Sequence, residues 1–96
     1  RGRASLVERR HLENFIDMMA AERGAAPNTL ESYQRDLEQF ANFLLGRRRN
    51  IEDAQVNHIR GYLKVMSELG LAPSTTARRL TTLRQFFKFL RDELLY

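Results

Sequence analysis

There is no cysteine in the 96 residues, so disulfides and thiolate metal sites are excluded. The composition fits a reducing compartment, and the cytoplasm is the expected location. No apolar run is long enough to span a bilayer or to form the core of a signal peptide. Glycine and proline are scarce, at five and two, so where they do occur they punctuate the chain. A chain this short, 43% hydrophobic and 29% charged, holds one domain with one core. It begins at Arg1, not at a methionine, and residues 1–5 are expected to be a disordered, trimmed or tagged end.

Acids are missing from one stretch above all. Residues 71–91 carry five cations, Arg78, Arg79, Arg84, Lys88 and Arg91, and no Asp or Glu, so the net charge of +4 is concentrated there. With a pI near 10.1, a one-signed face of this kind suits a polyanion such as nucleic acid. A solvated basic helix on an ordinary domain would show the same excess of cations. Against that, small hydroxyl and amide side chains lie among the cations, and these are the groups that contact phosphate oxygens and base edges.

Taken in order, the chain reads as four helices, near 6–23, 27–45, 55–69 and 73–93. Ser5 and Glu8 fit a capping box at the first start. Leu12, Phe15, Ile16 and Met19 form its apolar stripe, and Gly24 ends it. Pro27 opens the second helix, where its missing N–H costs nothing. Leu30, Tyr33, Leu37, Phe40, Ala41 and Leu44 line one face; Asn28, Ser32, Arg35 and Gln39 line the other. Gly46 is the expected terminator, and Arg47, Arg48 and Arg49 follow at the negative end of the helix dipole. Ile51 is expected to plug the core. The third helix presents Val56, Ile59, Leu63 and Met66, with Tyr62 beside them and Gly61 as a weak point. The fourth presents Leu80, Leu83, Phe87, Leu90 and Leu94 inward and Arg78, Thr81, Thr82, Gln85 and Lys88 outward. The expected core is Phe15, Ile16, Leu37, Phe40, Leu63, Leu80, Leu83 and Phe87. His11 and His58 stand alone on polar positions and read as surface residues with no metal role.

A shift of 46 residues superposes two parts of the chain with nine identities. Gly24, Ala26, Pro27, Thr29, Leu37, Gln39, Phe40, Phe43 and Leu44 match Gly70, Ala72, Pro73, Thr75, Leu83, Gln85, Phe86, Phe89 and Leu90. Capping and burial explain most of these. They do not explain Thr29 and Thr75 just inside two helix starts, where phosphates dock, or Gln39 and Gln85. From charge and position, Arg78, Arg79, Arg84 and Lys88 are expected to meet phosphates. Arg35, Gln39, Thr82 and Gln85 are expected to reach base edges, with Asn28, Thr29, Ser32, Ser74 and Thr75 completing the site.

The segment from Pro27 through Asn28, Thr29, Tyr33, Asp36, Leu37 and Phe40 resembles the N-T-x-x-x-Y-x-x-D-L-x-x-F motif of the core-binding domain of tyrosine recombinases and phage integrases. Ser74 to Leu90 resembles that family's S-T-x-x-R-x-L-S-A-L-R-x-F-F-x-F-L helix, nearest to the Xer type. Ala26 departs from the usual Ser or Thr before the proline, which weakens that cap. The resemblance implies an all-α fold, a compact four-helix SAM-like bundle that is orthogonal rather than up-down. It implies a domain over 6–93, with 94–96 starting a linker to a C-terminal catalytic domain. It also implies that the second and fourth helices lie against one face of a double-stranded DNA half-site, and that the partners are that catalytic domain and sister protomers. Neither cofactor nor metal is expected. The catalytic tyrosine, arginines, lysine and histidines of such enzymes belong to the other domain, so no catalytic residue is assigned here, Tyr96 included. The isolated domain is expected to be a monomer. The rival reading is a helical protein-interaction module that docks through exposed Phe43 and Phe89.

Overall fold

Helix periodicity and cap chemistry are realised as four helices: α1 (Leu6–Glu22), α2 (Pro27–Leu45), α3 (Val56–Glu68) and α4 (Pro73–Leu94), with a single 3-10 turn at Ile51–Asp53 before α3. The computed structural model describes the backbone of residues 6–94 and the side chains of 9–93 apart from 52. The expected Ser5–Glu8 capping box, the terminus before residue 6 and the last residues, Tyr96 included, lie outside the described residues. Among those described there is no strand, and no helix is long and apolar enough to cross a membrane. The longest dimension of the molecule is 36 Å, close to the ~33 Å of α4 at 1.5 Å per residue. The other helices therefore pack across α4 instead of extending it, and the chain is an all-α four-helix bundle.

Each boundary follows from local chemistry. Pro27 occupies the first turn of α2 and Ala26 gives no side-chain cap, as its missing hydroxyl implies. Gly24 and Gly70 adopt left-handed backbones, with φ of 60° and 78°, which lets the chain reverse after α1 and α3. Gly46 ends α2 as expected, standing as its C-cap, but does so with an ordinary right-handed φ of −63°. The left-handed residue after α2 is instead Arg48, with φ of 59°. There the Arg48 and Arg49 amides donate to the carbonyls of Leu45 and Leu44. Arg47 lies 3.9 Å over the Phe43 ring. His58 is not isolated, because its Nδ1 accepts the Gln55 backbone N–H at 2.9 Å and so caps α3. His11 is half-buried.

The core draws on every helix. Leu12, Phe15 and Met19 come from α1; Leu37, Phe40, Ala41 and Leu44 from α2; Tyr62 and Met66 from α3; Leu83, Phe86 and Leu90 from α4; and Ile51 plugs it from the 3-10 turn. Two stripes are rotated from their expected positions. On α4 the fully buried ring is Phe86, while Leu80 and Phe87 are half-buried, because Phe86 meets Phe15 edge-on at 5.4 Å. On α3, Tyr62 takes the inward place, 5.1 Å from both Phe40 and Phe43. Leu63 is then only half-buried and Val56 is 64% exposed. Ile16 is also half-buried.

Gly61 faces no neighbouring backbone. A Cβ there would sit 3.6 Å from the Phe43 Cζ, an ordinary contact. Replacing Gly61 with alanine should therefore raise stability by about 0.5–1 kcal/mol, the helix-propensity difference, measured as a higher urea midpoint. A loss of stability would show that the Phe43 ring has no room to accept a methyl group.

Candidate nucleic-acid interface

A carboxylate sits where α2 and α4 meet. Asp36 is only 1% exposed. An isolated charge at such a depth is costly, so its partners decide whether it belongs there. Arg78 donates to it twice, from Nη2 at 2.7 Å and from Nε at 3.2 Å. The Thr82 hydroxyl lies 3.0 Å from Asp36 Oδ2 and 3.2 Å from the Arg78 carbonyl, so its single proton serves these two acceptors. Arg79 adds a second cation, with its Nε 3.8 Å from Oδ1, too far for a hydrogen bond. The Arg79 Nη1 also reaches the Tyr62 hydroxyl at 3.4 Å. Burial pushes the Tyr62 phenol up, against the pull of Arg79, and the Asp36 carboxylate holds the Arg78 guanidinium above its ordinary range.

This network corrects two expected contacts. Thr82 is fully buried, so it is absent from the outer face. Its hydroxyl is tolerated inside because Asp36 accepts from it. Arg79 is turned inward, its side chain 17% exposed and its guanidinium engaged by Tyr62 and Asp36. The helix thus keeps Arg78, Arg84, Lys88 and Arg91 as its outward cations, all of them exposed. Lys88 and Arg91 lie 3.6 and 3.7 Å from Asp92, solvent-exposed pairs of small energetic weight. Arg84, and Arg35 on α2, have no ion-pair partner among the described residues.

The remaining residues fall on two neighbouring edges. Asn28, Arg35 and Gln39 on α2 and Ser74 on α4 are exposed, while Thr29, Ser32, Thr75 and Gln85 are half-buried. Ser32, Asp36 and Gln39 follow one another at helical spacing, as do Arg78, Thr82 and Gln85. The Asp36 bonds therefore bring the polar edge of α2 alongside the basic edge of α4. Gln85 differs from its repeat mate Gln39. Its side-chain oxygen faces inward without a hydrogen-bond partner, in the cleft between α1 and α4, so only its amide nitrogen is available.

The rings of the rival reading are not free. Phe89 packs 5.7 Å from Phe15, and Phe43 packs against both Phe40 and Tyr62 under Arg47. Both are half-buried and packed against the core cluster, so neither is the fully exposed ring on which the rival reading relies. Among the described residues, the large apolar side chains that are exposed are Val56 and Leu69.

A family model described as phage integrase, N-terminal SAM-like domain, matches residues 12–94. The chain belongs to this family. It is 54% identical over 91 residues, 95% of its length, to tyrosine recombinase XerD of Brucella abortus (biovar 1, strain 9-941). It is 49% identical over 83 residues, 86% of its length, to tyrosine recombinase XerD of Rhizobium meliloti (strain 1021). The identity to tyrosine recombinase XerD of Caulobacter vibrioides is 42% over 79 residues, 82% of the chain. It spans about a quarter of the length of these relatives, 28%, 27% and 26% in turn. No solved structure matches it.

Within this SAM-like domain the residue that sequence reasoning passed over is Asp36. The signal was present, since Tyr33, Asp36, Leu37 and Phe40 continue one apolar stripe and an acid within such a stripe must find partners inside. The 46-residue shift also maps Asp36 onto Thr82, and these two repeat mates are in contact.

Proposed function

We propose that this domain grips one face of a duplex half-site in a site-specific recombinase, mainly through the outer edges of α2 and α4. The observation that carries this reading is the outward row of Arg78, Arg84 and Lys88 on an element with no acid from 71 to 91, beside the exposed Arg35 and Gln39. The first-turn amides of α2 and α4, with Asn28, Thr29, Ser74 and Thr75, add hydrogen-bond donors, and neither first turn carries an acid to compete for them. Ser32 completes the α2 edge. Arg35 and Gln39 are the base readers, because both are exposed and neither is engaged in an ion pair. Gln85 can donate but not accept, which suits it to a single contact and not to a bidentate one.

In the parent recombinase, residues 6–93 form the DNA-gripping domain and 94–96 lead toward a catalytic domain that closes on the other face, beside sister protomers. A single module of this size buries about 600–1,000 Å² on DNA. Alone, it should bind weakly, as a monomer, with little sequence preference. Strand cleavage is assigned to that catalytic domain.

Salt dependence tests the reading. Three phosphate contacts give a slope near −2.7 in log affinity against log salt, so affinity should fall about 40-fold from 50 to 200 mM. Substituting alanine at Arg84 or Lys88 should each remove close to one unit of slope. Duplex binding that ignores salt, or that survives both substitutions unchanged, would refute the assignment.

A further inference from the structure

The bonds to Asp36 use particular edges of Arg78. Nε and one Nη2 hydrogen point at the carboxylate, which leaves the Nη1 pair and the second Nη2 hydrogen. Those remaining donors include the parallel pair at the end of the guanidinium, the edge that meets two oxygens of one phosphate. The side chain is 46% exposed, so that edge is accessible. The carboxylate cannot swivel, being 1% exposed and also bonded by Thr82 from the next turn of α4. Nor does it cancel the site, because Arg79 stands 3.8 Å away and two guanidiniums face one carboxylate.

We propose that Asp36 is a positioning residue for DNA: it touches no nucleic acid, yet sets affinity by holding Arg78 with its end edge turned outward to a backbone phosphate. This rests on the reading of α4 as a DNA-facing helix. A free arginine must lose its rotamer freedom on binding, whereas Arg78 has lost it already in the unbound protein. An arginine so held acts as a fixed fork, and a lysine cannot replace it.

The sign of one substitution separates positioning from plain electrostatics. Asp36→Asn raises the net charge from +4 to +5, so long-range attraction alone would tighten binding to DNA. Positioning predicts the opposite, a loss of up to about tenfold, the scale of immobilising one rotamer-rich side chain on binding. The experiment is a fluorescence-polarisation titration of a short labelled duplex with the 96-residue chain, with circular dichroism to verify folding. Asp36→Asn should weaken binding with the salt slope retained. In an Arg78→Ala background the same change should have no further effect. Arg78→Lys should lose as much as Asp36→Asn. A folded Asp36→Asn that binds as well as wild type or better overturns the proposal, as does an equal loss in the Arg78→Ala background. If Asp36→Asn does not fold, Arg78→Lys decides, and wild-type affinity there overturns it. Wild-type protein that fails to bind duplex removes the functional reading itself; binding that responds to Arg84→Ala but not to Asp36→Asn removes only the positioning role.

Discussion

Truncation of Phe86 to alanine is expected to lower stability by about 3–5 kcal/mol, the range for deleting a fully buried aromatic ring. Phe86 is fully buried, and it meets Phe15 at 5.4 Å and Phe87 at 5.5 Å, both edge-on. The loss therefore combines transfer, cavity and ring-pair contributions. A domain of this size is stable by roughly 5–14 kcal/mol, so the variant should have a much lower urea midpoint or be partly unfolded at room temperature. Phe87→Ala is the control. Its ring is half-buried and leans on Phe40 at 6.1 Å, so it should lose clearly less. If Phe87→Ala proves the more damaging of the two, the rotation of α4 described above is incorrect.

That pair of neighbours also shows what was legible in the sequence. Four helices, their glycine and proline punctuation and the inward face of α2 follow from a 3.6-residue period and cap chemistry, since each is a local property. The rotation of α4 does not. Leu80, Leu83, Phe86, Phe87, Phe89 and Leu90 make so much of this helix apolar that two stripes, one through Phe86 and one through Phe87, satisfy the period equally. Treating Thr82 as an outward hydroxyl selected the wrong one. The repeat held the answer: the α2 stripe of Tyr33, Leu37, Phe40 and Leu44, carried forward by 46 residues, lands on Arg79, Leu83, Phe86 and Leu90, three of them buried and the fourth half-buried.

The site divides along the same line. The basic character of α4 and the exposed polar edge of α2 are one-helix properties and could be read directly. Which cations remain at the surface depends on a pairing between helices, and Arg79 and Thr82 turn inward because a carboxylate 46 positions before Thr82 is there to receive them. Arg48 is a smaller case of the same kind. Gly46 carries the usual terminator signal, but the carbonyls of Leu44 and Leu45 draw in the amides that follow, and the left-handed turn falls two residues later.

The same carboxylate gives the second large expected effect. Asp36→Ala should destabilise the domain by about 2–4 kcal/mol. Breaking a buried pair by removing one partner costs about 3–5 kcal/mol, and the lower figure reflects Arg78, which is 46% exposed and can turn to water once released. Arg79 cannot do so. With its side chain 17% exposed, its guanidinium would stay beside Tyr62 and Met66 without a counter-charge. Thr82 is less affected, because its hydroxyl still has the Arg78 carbonyl at 3.2 Å. The cost should therefore lie with the stranded cation and not with any missing attraction, and a double substitution can test this. Asp36→Leu with Arg79→Met removes both buried charges and refills the space, and apolar replacement of a whole buried pair is often neutral. Chemical denaturation should place this double variant within about 1 kcal/mol of wild type and well above Asp36→Ala. If the double variant is as unstable as the single one, the network stabilises through its own hydrogen bonds. If Asp36→Ala costs less than about 0.5 kcal/mol, the scale of an ordinary surface substitution, the seam between α2 and α4 is held by Leu37, Phe40, Leu83 and Phe86 alone.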